Sequence, residues 1–260
     1  MTDATSSGDL AATLRLLWRR HLPTDASPRR GPRRGLSVDT IVDEAVSLAD
    51  SDGLSALTMR RLAERLDVRP MSLYTYVPGR AELLDLMLDD AYAAVPRPPF
   101  ADAPWQQRVR SVAAGNLDLY ERHPWAAELS TQRPPLGPGQ MAKYEYELSA
   151  FTDSGLDDVA IDDALTFLLG FVRSASRDMH SARMNERASG GDDQQWWDAV
   201  GPLFSQLIDT RAYPLAERIG AAAGAAHASA HDAHHAYRFG LERTMDALER
   251  LAAGHAADEG

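Results

Sequence analysis

Apolar positions recur every three to four residues along almost the whole chain, the spacing of amphipathic helices. From Val38 to Ser51, one stripe is formed by Val38, Ile41, Val42, Ala45, Val46, Leu48 and Ala49. Ser37 stands where an N-cap belongs, and Asp52-Gly53 ends the segment. Thr58 caps a second helix with Met59, Leu62, Ala63 and Leu66 on its inner face. Asp67 and Val68 make a tight turn. Pro70 then opens a very short helix at a position where a missing N–H costs nothing. Pro78-Gly79 breaks the chain before a longer helix from about Arg80 to Val95, carrying Leu83, Leu84, Leu86, Met87, Leu88 and Tyr92. Upstream, Leu10, Leu14, Leu17 and Trp18 predict a short extra helix within 10–22. No segment alternates β-branched and polar residues, so no strand is predicted.

The stretch from Pro96 to Pro104 is proline-rich and marks the expected domain junction. Beyond it the pattern predicts helices near 104–122, 125–131, 138–153, 157–187, 193–209 and 230–252. They are separated by His123-Pro124, Pro134-Pro135 with Gly137, Ser154-Gly155, Gly190-Gly191 and Tyr213-Pro214. The Ala/Gly-rich segment from Ile219 to Ala230 is expected to be partly ordered. The fold class is therefore all-α: an N-terminal three-helix unit followed by a larger C-terminal helical bundle.

Charge changes the picture of the N-terminal part. The 260-residue chain carries a formal net charge of −11, but unevenly. Residues 1–80 hold 12 basic and 10 acidic side chains, residues 81–260 hold 15 and 28. Within the first part Arg29, Arg30, Arg33 and Arg34 lie among Pro28, Gly31, Pro32 and Gly35, a basic arm with helix breakers. Alone such a run reads as a solvated linker. Beside a DNA reader it reads as an arm that follows phosphates or enters a minor groove. The chain has no cysteine, which excludes a disulfide scaffold, thiolate catalysis and Cys-ligated zinc. No apolar run approaches the roughly 20 residues that span a bilayer, and the polar start, Met1 to Asp9, lacks a secretory h-region. The expected location is cytoplasmic, with no membrane partner.

The segment 37–95 carries the functional signal. Two short helices joined by a four-residue link, with a third before them, make a helix-turn-helix. In the short second helix Leu73 must face inward, which aims Arg69, Pro70, Met71, Ser72 and Tyr74 outward. A helix this short and polar has little packing role, but its N-terminal residues suit base edges in a major groove. Arg69 can donate twice to a guanine edge, Ser72 can donate or accept, and Pro70 and Met71 offer apolar contact to a thymine methyl. The hydroxyls of Thr58, Tyr74 and Tyr76 and the guanidinium of Arg80 suit phosphate oxygens.

The run Leu57-Thr58-Met59-Arg60-Arg61-Leu62-Ala63-Glu64-Arg65-Leu66-Asp67-Val68-Arg69-Pro70-Met71-Ser72-Leu73-Tyr74-Thr75-Tyr76-Val77 resembles the DNA-binding signature of the TetR (tetracycline repressor) family. So do Gly53-Leu54 before it and Arg80-Ala81-Glu82-Leu83-Leu84 after it. The resemblance implies a homodimer with a small DNA-reading domain and a larger ligand-binding domain. It also implies that Thr58, Arg69, Pro70, Met71, Ser72, Tyr74, Tyr76 and Arg80 face DNA, and that the helix from Arg80 links the domains. The expected division is 1–36 as an extension with the basic arm, 37–82 as the helix-turn-helix domain and 83–260 for ligand binding and dimerisation. The run His123 to Leu148, with Gln132-Arg133-Pro134 inside it, resembles the ligand domain of the tetracycline repressors. Those hold the drug's magnesium through a histidine whose matching position here is Leu129. Leucine cannot ligate a hard cation, so a magnesium–tetracycline chelate is not the expected effector.

Candidate walls of a ligand pocket are Tyr120, Trp125, Met141, Tyr144, Phe167, Phe171, Trp196 and Trp197. Plain core packing is the competing reading for each. Arg173, Arg177 and His180 share a helical face that can receive an acidic ligand or lie in solvent. Among His227, His231, His234 and His235, His231 and His235 stand at i, i+4, but no third ligand with a diagnostic spacing accompanies them, so no metal and no cofactor are expected. No phosphate loop, nucleophile elbow or paired catalytic carboxylates are present, and the chain is not expected to be an enzyme. The apolar faces Leu165, Leu168, Leu169, Val172 and Phe239, Leu241, Met245, Leu248, Leu251 are expected to pair subunits. The expected function is a ligand-responsive regulator, a repressor that binds palindromic operator DNA as a homodimer and is released by a small-molecule effector. The alternative is a helical ligand-binding or partner-binding protein whose helix-turn-helix is not used on DNA.

Overall fold

The computed structural model describes residues 5, 9–22, 36–129, 131, 133–190, 193–227 and 232–258. The arm residues Arg29, Arg30, Arg33 and Arg34 and the possible ligand His231 lie outside these. Among the described residues there are twelve α-helices and no strand. Helix α2 (Val38–Asp52) starts in a reciprocal capping box, in which Thr40 N donates to Ser37 Oγ at 3.1 Å and Ser37 N to Thr40 Oγ1 at 2.9 Å. Gly53, at φ 81, turns the chain into a short 3-10 turn at Leu54–Ala56. Thr58 caps α3 (Met59–Arg65) by accepting from Arg61 N at 3.1 Å. Asp67, at φ 53, makes the left-handed turn into α4 (Pro70–Leu73), a conformation Asp tolerates. Ile41, Val42, Leu48, Leu57, Leu62 and Leu73 are buried in the small core that joins these elements.

Helix α5 (Arg80–Ala93) is buried nearly all round, including Glu82, Asp85 and Asp89. Helices α1 (Leu10–Leu17) and α2 pack on it from one side and α8 (Pro138–Ser149) from the other. The predicted early helix is thus a docked element of the fold. Leu17 is buried, Arg19 and Arg20 bind Asp39 of α2, and Trp18 Nε1 donates to Leu136 O at 2.7 Å. Burial pushes the Asp39 carboxyl up, but the hydrogen bonds from Arg19 and Arg20 outweigh this and hold it below the usual carboxylate value.

The second bundle is built from α6 (Trp105–Arg122), α7 (Pro124–Glu128), α8, α9 (Asp158–Ser189) and α12 (Ala233–Asp258). Helix α9 is the spine, 32 residues and roughly 48 Å long, with α6, α7 and α12 packed along it. The faces expected to pair subunits are partly spent inside the monomer. Leu165, Leu168 and Val172 of α9 and Met245 and Leu248 of α12 are buried within the monomer. The apolar side chains that α9 and α12 leave exposed are Val159, Phe167, Met184, Phe239 and Leu251. Helices α10 (Asp193–Leu207) and α11 (Pro214–His227) run on the outside, and α11 includes residues 219–227 of the Ala/Gly-rich segment, whose residues 228–230 lie outside the described residues.

Candidate nucleic-acid interface and ligand cavity

Leu73 is fully buried, which fixes the roll of α4. Met71 is then 75% exposed, and Arg69, Pro70, Tyr74 and Tyr76 are also exposed, with Ser72 half-buried. The backbone enters α4 from an extended Arg69, so that guanidinium stands ahead of the helix N-terminus. Thr58 Oγ1 accepts from Arg61 N and keeps its own proton for an outside acceptor such as a phosphate oxygen. The cations of α3 are engaged elsewhere. Arg61 pairs with Asp52, Arg65 with Glu44, and Arg60 lies 3.7 Å from Glu64. These ion pairs leave Arg69 as the cation at the tip of the reader among the described residues.

Arg80 is also anchored inside the protein. Its Nε donates to Leu57 O at 2.9 Å and its Nη2 to Leu54 O at 3.1 Å. The guanidinium therefore spends two of its donors tying the start of α5 to the 3-10 turn, a structural role that the sequence reading did not give it.

A cavity of about 600 Å³ opens between α5, α6, α8, α9 and the 131–136 segment. Three of the expected wall residues line it: Tyr120, Met141 and Tyr144. The other five do not. Trp125 is buried at the foot of α7, where its Nε1 donates to Asp50 Oδ1 at 2.7 Å. Phe171 stacks on Tyr237 at 5.9 Å against Gly240, joining α9 to α12. Phe167 is 57% exposed on the outer face of α9, and Trp196 and Trp197 are exposed on α10.

The polar groups of the cavity were mostly missed from sequence. Lys143, the single lysine of the chain, is buried and donates to Glu147 Oε1 at 2.6 Å. Asn116 Nδ2 donates to the same oxygen at 2.5 Å. Burial pulls the Lys143 ammonium down, with Glu147 opposing. The pair forms a partition: a second cavity of about 400 Å³, with Asn116, Ser111 and Tyr146 in its wall, lies on its other side. Tyr92 and Tyr120 enter the larger cavity with 5% and 7% exposure, and burial raises both phenols, Tyr120 to about 12. Arg173 lines it too and donates to Thr131 Oγ1 at 2.7 Å, while Arg177 points to solvent. The only sequence signals were the solitary lysine with a glutamate four residues on, and the suggestion that Arg173 receives an acid.

Leu129, the position that the resemblance matches to that histidine, is packed in the core. No group of three or more His, Asp or Glu side chains among the described residues is placed to hold a metal. No described helix is long and apolar enough to cross a membrane.

A contact network connects the cavity to the reader. Gly137 and Gly139 bring the α8 N-terminus against α5, where Gln140 N donates to Asp89 Oδ1 at 2.7 Å. His123 Nδ1 and Trp125 Nε1 both reach Asp50 near the end of α2.

The family model for bacterial regulatory proteins of the tetR family matches residues 41–87. That for the tetracyclin repressor-like C-terminal domain matches residues 97–252. The chain is 37% identical over 253 residues to the HTH-type transcriptional repressor DrrR1 of Streptomyces coeruleorubidus, covering 97% of this chain and 90% of that protein. It is 29% identical over 186 residues to the class E tetracycline repressor protein of Escherichia coli, covering 70% and 84%. Among solved structures, Streptomyces coelicolor ActR in complex with actinorhodin superposes with a TM-score of 0.67 at 26% identity, covering 83% of this chain and 96% of that one. ActR in complex with (S)-DNPA superposes with a TM-score of 0.65 at 25% identity, covering 83% and 98%.

Proposed function

The chain belongs to the TetR family and is a ligand-responsive transcriptional repressor, and from that premise we propose how it acts. It binds a two-fold operator as a homodimer through Arg69, Pro70, Met71, Ser72, Tyr74 and Tyr76, and a small molecule in the α5–α9 cavity releases it. The observation that carries this reading is the placement of α5. One helix forms a wall of the cavity through Tyr92 and at its other end anchors the core of the reader through Leu83, Leu84 and Arg80. The structures of ActR with actinorhodin and with (S)-DNPA support an organic effector. One short reading helix makes few base contacts, so two copies on successive major grooves supply the specificity. The exposed Val159, Phe167, Met184, Phe239 and Leu251 supply the apolar surface for pairing. The basic arm adds affinity without sequence preference, and the acidic second domain repels DNA away from the bundle.

A gel shift on the DNA upstream of its own gene tests the reading. Arg69→Ala is expected to cost about 1–3 kcal/mol on the operator and to relax its preference for guanine. Tyr74→Phe removes a phosphate contact and weakens all sequences alike. Parent-like binding of every sequence by both variants refutes a base-reading role.

A further inference from the structure

Resting on the reading of this cavity as the effector site, we propose that it selects an aromatic acid, whose oxyanion is bound by Arg173, Tyr92 and Tyr120. Arg173 has no carboxylate within ion-pair reach among the described residues, and its partner there is the Thr131 hydroxyl. Both phenols are more than nine-tenths buried at the cavity wall, yet neither hydroxyl has a described hydrogen-bond partner. Neither hydroxyl is among the fully buried unpartnered polar atoms, so each remains open to the cavity, where a ligand can bond to it. Held protonated by burial, each phenol is a donor, so the three groups together offer N–H and O–H bonds and one positive charge.

The carboxylates of the cavity do not cancel that charge. Glu147 is held by Lys143 at 2.6 Å and Asn116 at 2.5 Å. Asp162 accepts from the Tyr144 hydroxyl at 2.6 Å and stands at the exposed rim. It lies eleven residues down α9 from Arg173, roughly 16 Å at helical rise. Between these ends Leu165 and Leu169 of α9 face Met141 and the Tyr144 ring of α8, an apolar slot for an aromatic frame. The acid group thus enters first and is buried at the inner end, while the ring system fills the slot behind it.

Anthracenecarboxylate, its methyl ester and aminomethylanthracene form a matched set for titration calorimetry with the full chain. The acid is expected to bind about tenfold tighter than the ester, and the amine more weakly than both. Arg173→Met should erase the preference for acid over ester. Tyr92→Phe and Tyr120→Phe should each weaken the acid several-fold and leave the ester unchanged, which carries the test if the arginine variant does not fold. Equal or tighter binding of ester or amine, no binding of the acid, or equal losses for acid and ester in the phenylalanine variants overturns the proposal. Gel shifts with the same compounds separate the two readings. An acid that binds through Arg173 but leaves the repressor on DNA refutes effector release and leaves the oxyanion site standing. Release by the neutral or cationic aromatic alone refutes the oxyanion site and leaves effector release standing.

Discussion

Replacing Gly139 by alanine should separate the cavity from the helix that carries the reader. A Cβ built there lies 2.0 Å from Asp89 O and 2.9 Å from Ala93 N, both backbone atoms of α5. Ordinary contact needs roughly 3.5 Å, and neither backbone can turn aside as a side chain would. Helix α8 must retreat by over an ångström, which also stretches the 2.7 Å bond from Gln140 N to Asp89. Overpacking of this kind costs about 1–3 kcal/mol, and a weakened hydrogen bond to a charged group adds about 1 kcal/mol or more. The gain in helix propensity from glycine to alanine offsets at most about 1 kcal/mol. A net loss of about 2–3 kcal/mol lowers the melting temperature by roughly 5–10 °C for a chain of this size. Thermal unfolding followed by circular dichroism, at one protein concentration, measures it. Gly220→Ala is the control, because a Cβ on that exposed α11 residue meets nothing within 4 Å. A Gly139→Ala protein that melts with the parent refutes the claim that α8 and α5 are locked at this point.

Two further outcomes follow from the electrostatics. Burial pushes the Asp89 carboxyl up, only partly offset by the N–H groups of Gln140 and Gly139. The folded state therefore keeps its proton longer than the unfolded chain, and stability falls as pH rises through the range above the ordinary carboxylate value. Asp89→Asn should flatten that fall in urea midpoints taken between about pH 4 and about pH 7. An unchanged slope assigns the pH dependence elsewhere. Replacing Arg29, Arg30, Arg33 and Arg34 by alanine should reduce the salt dependence of operator binding by about 0.9 in slope for each phosphate the arm no longer neutralises. The same slope returns the arm to a linker.

The reader was legible in the sequence because its rules are local. Ser37 and Thr58 cap the helices they immediately precede, Asp67 turns the chain in place, and Leu73 has a single inward face to take. The cavity was legible only in part, because α8 and α9 carry apolar residues on more than one face. Phe167 and Leu168 are neighbours, yet one is 57% exposed and the other fully buried, and no periodicity decides which. Trp125 was expected to line a pocket, but its indole N–H is taken by a carboxylate 75 positions earlier. Arg80 likewise matched the phosphate pattern, and only the position of the Leu54 and Leu57 carbonyls shows where its donors go. In the sequence Lys143 and Glu147 are an ordinary i, i+4 pair, and their importance comes from burial that the spacing does not encode.

Communication between cavity and reader must meet an energetic demand that no single contact here supplies. Moving a two-state equilibrium from 1:99 to 99:1 takes about 5.5 kcal/mol of differential binding. One charged hydrogen bond contributes about 1.5–3 kcal/mol. Three ties nevertheless run from the cavity side to the DNA side. Asp89 holds the α8 N-terminus, Asp50 holds His123 and Trp125, and the segment directly after α1 spans from the cavity-lining Leu136 to Asp39 through Trp18, Arg19 and Arg20. If a ligand moves α8 and Leu136 together, the Gln140–Asp89 and Trp18–Leu136 bonds change at once, worth about 2–4.5 kcal/mol together and so, at the upper end, the larger part of that demand. In the proposed homodimer two such cavities would bias one spacing between two readers, which doubles the effect. The N-terminal segment is then part of the switch rather than an appendage, because the residues directly after α1 touch the cavity-lining Leu136 through Trp18 and the first helix of the reader through Arg19 and Arg20.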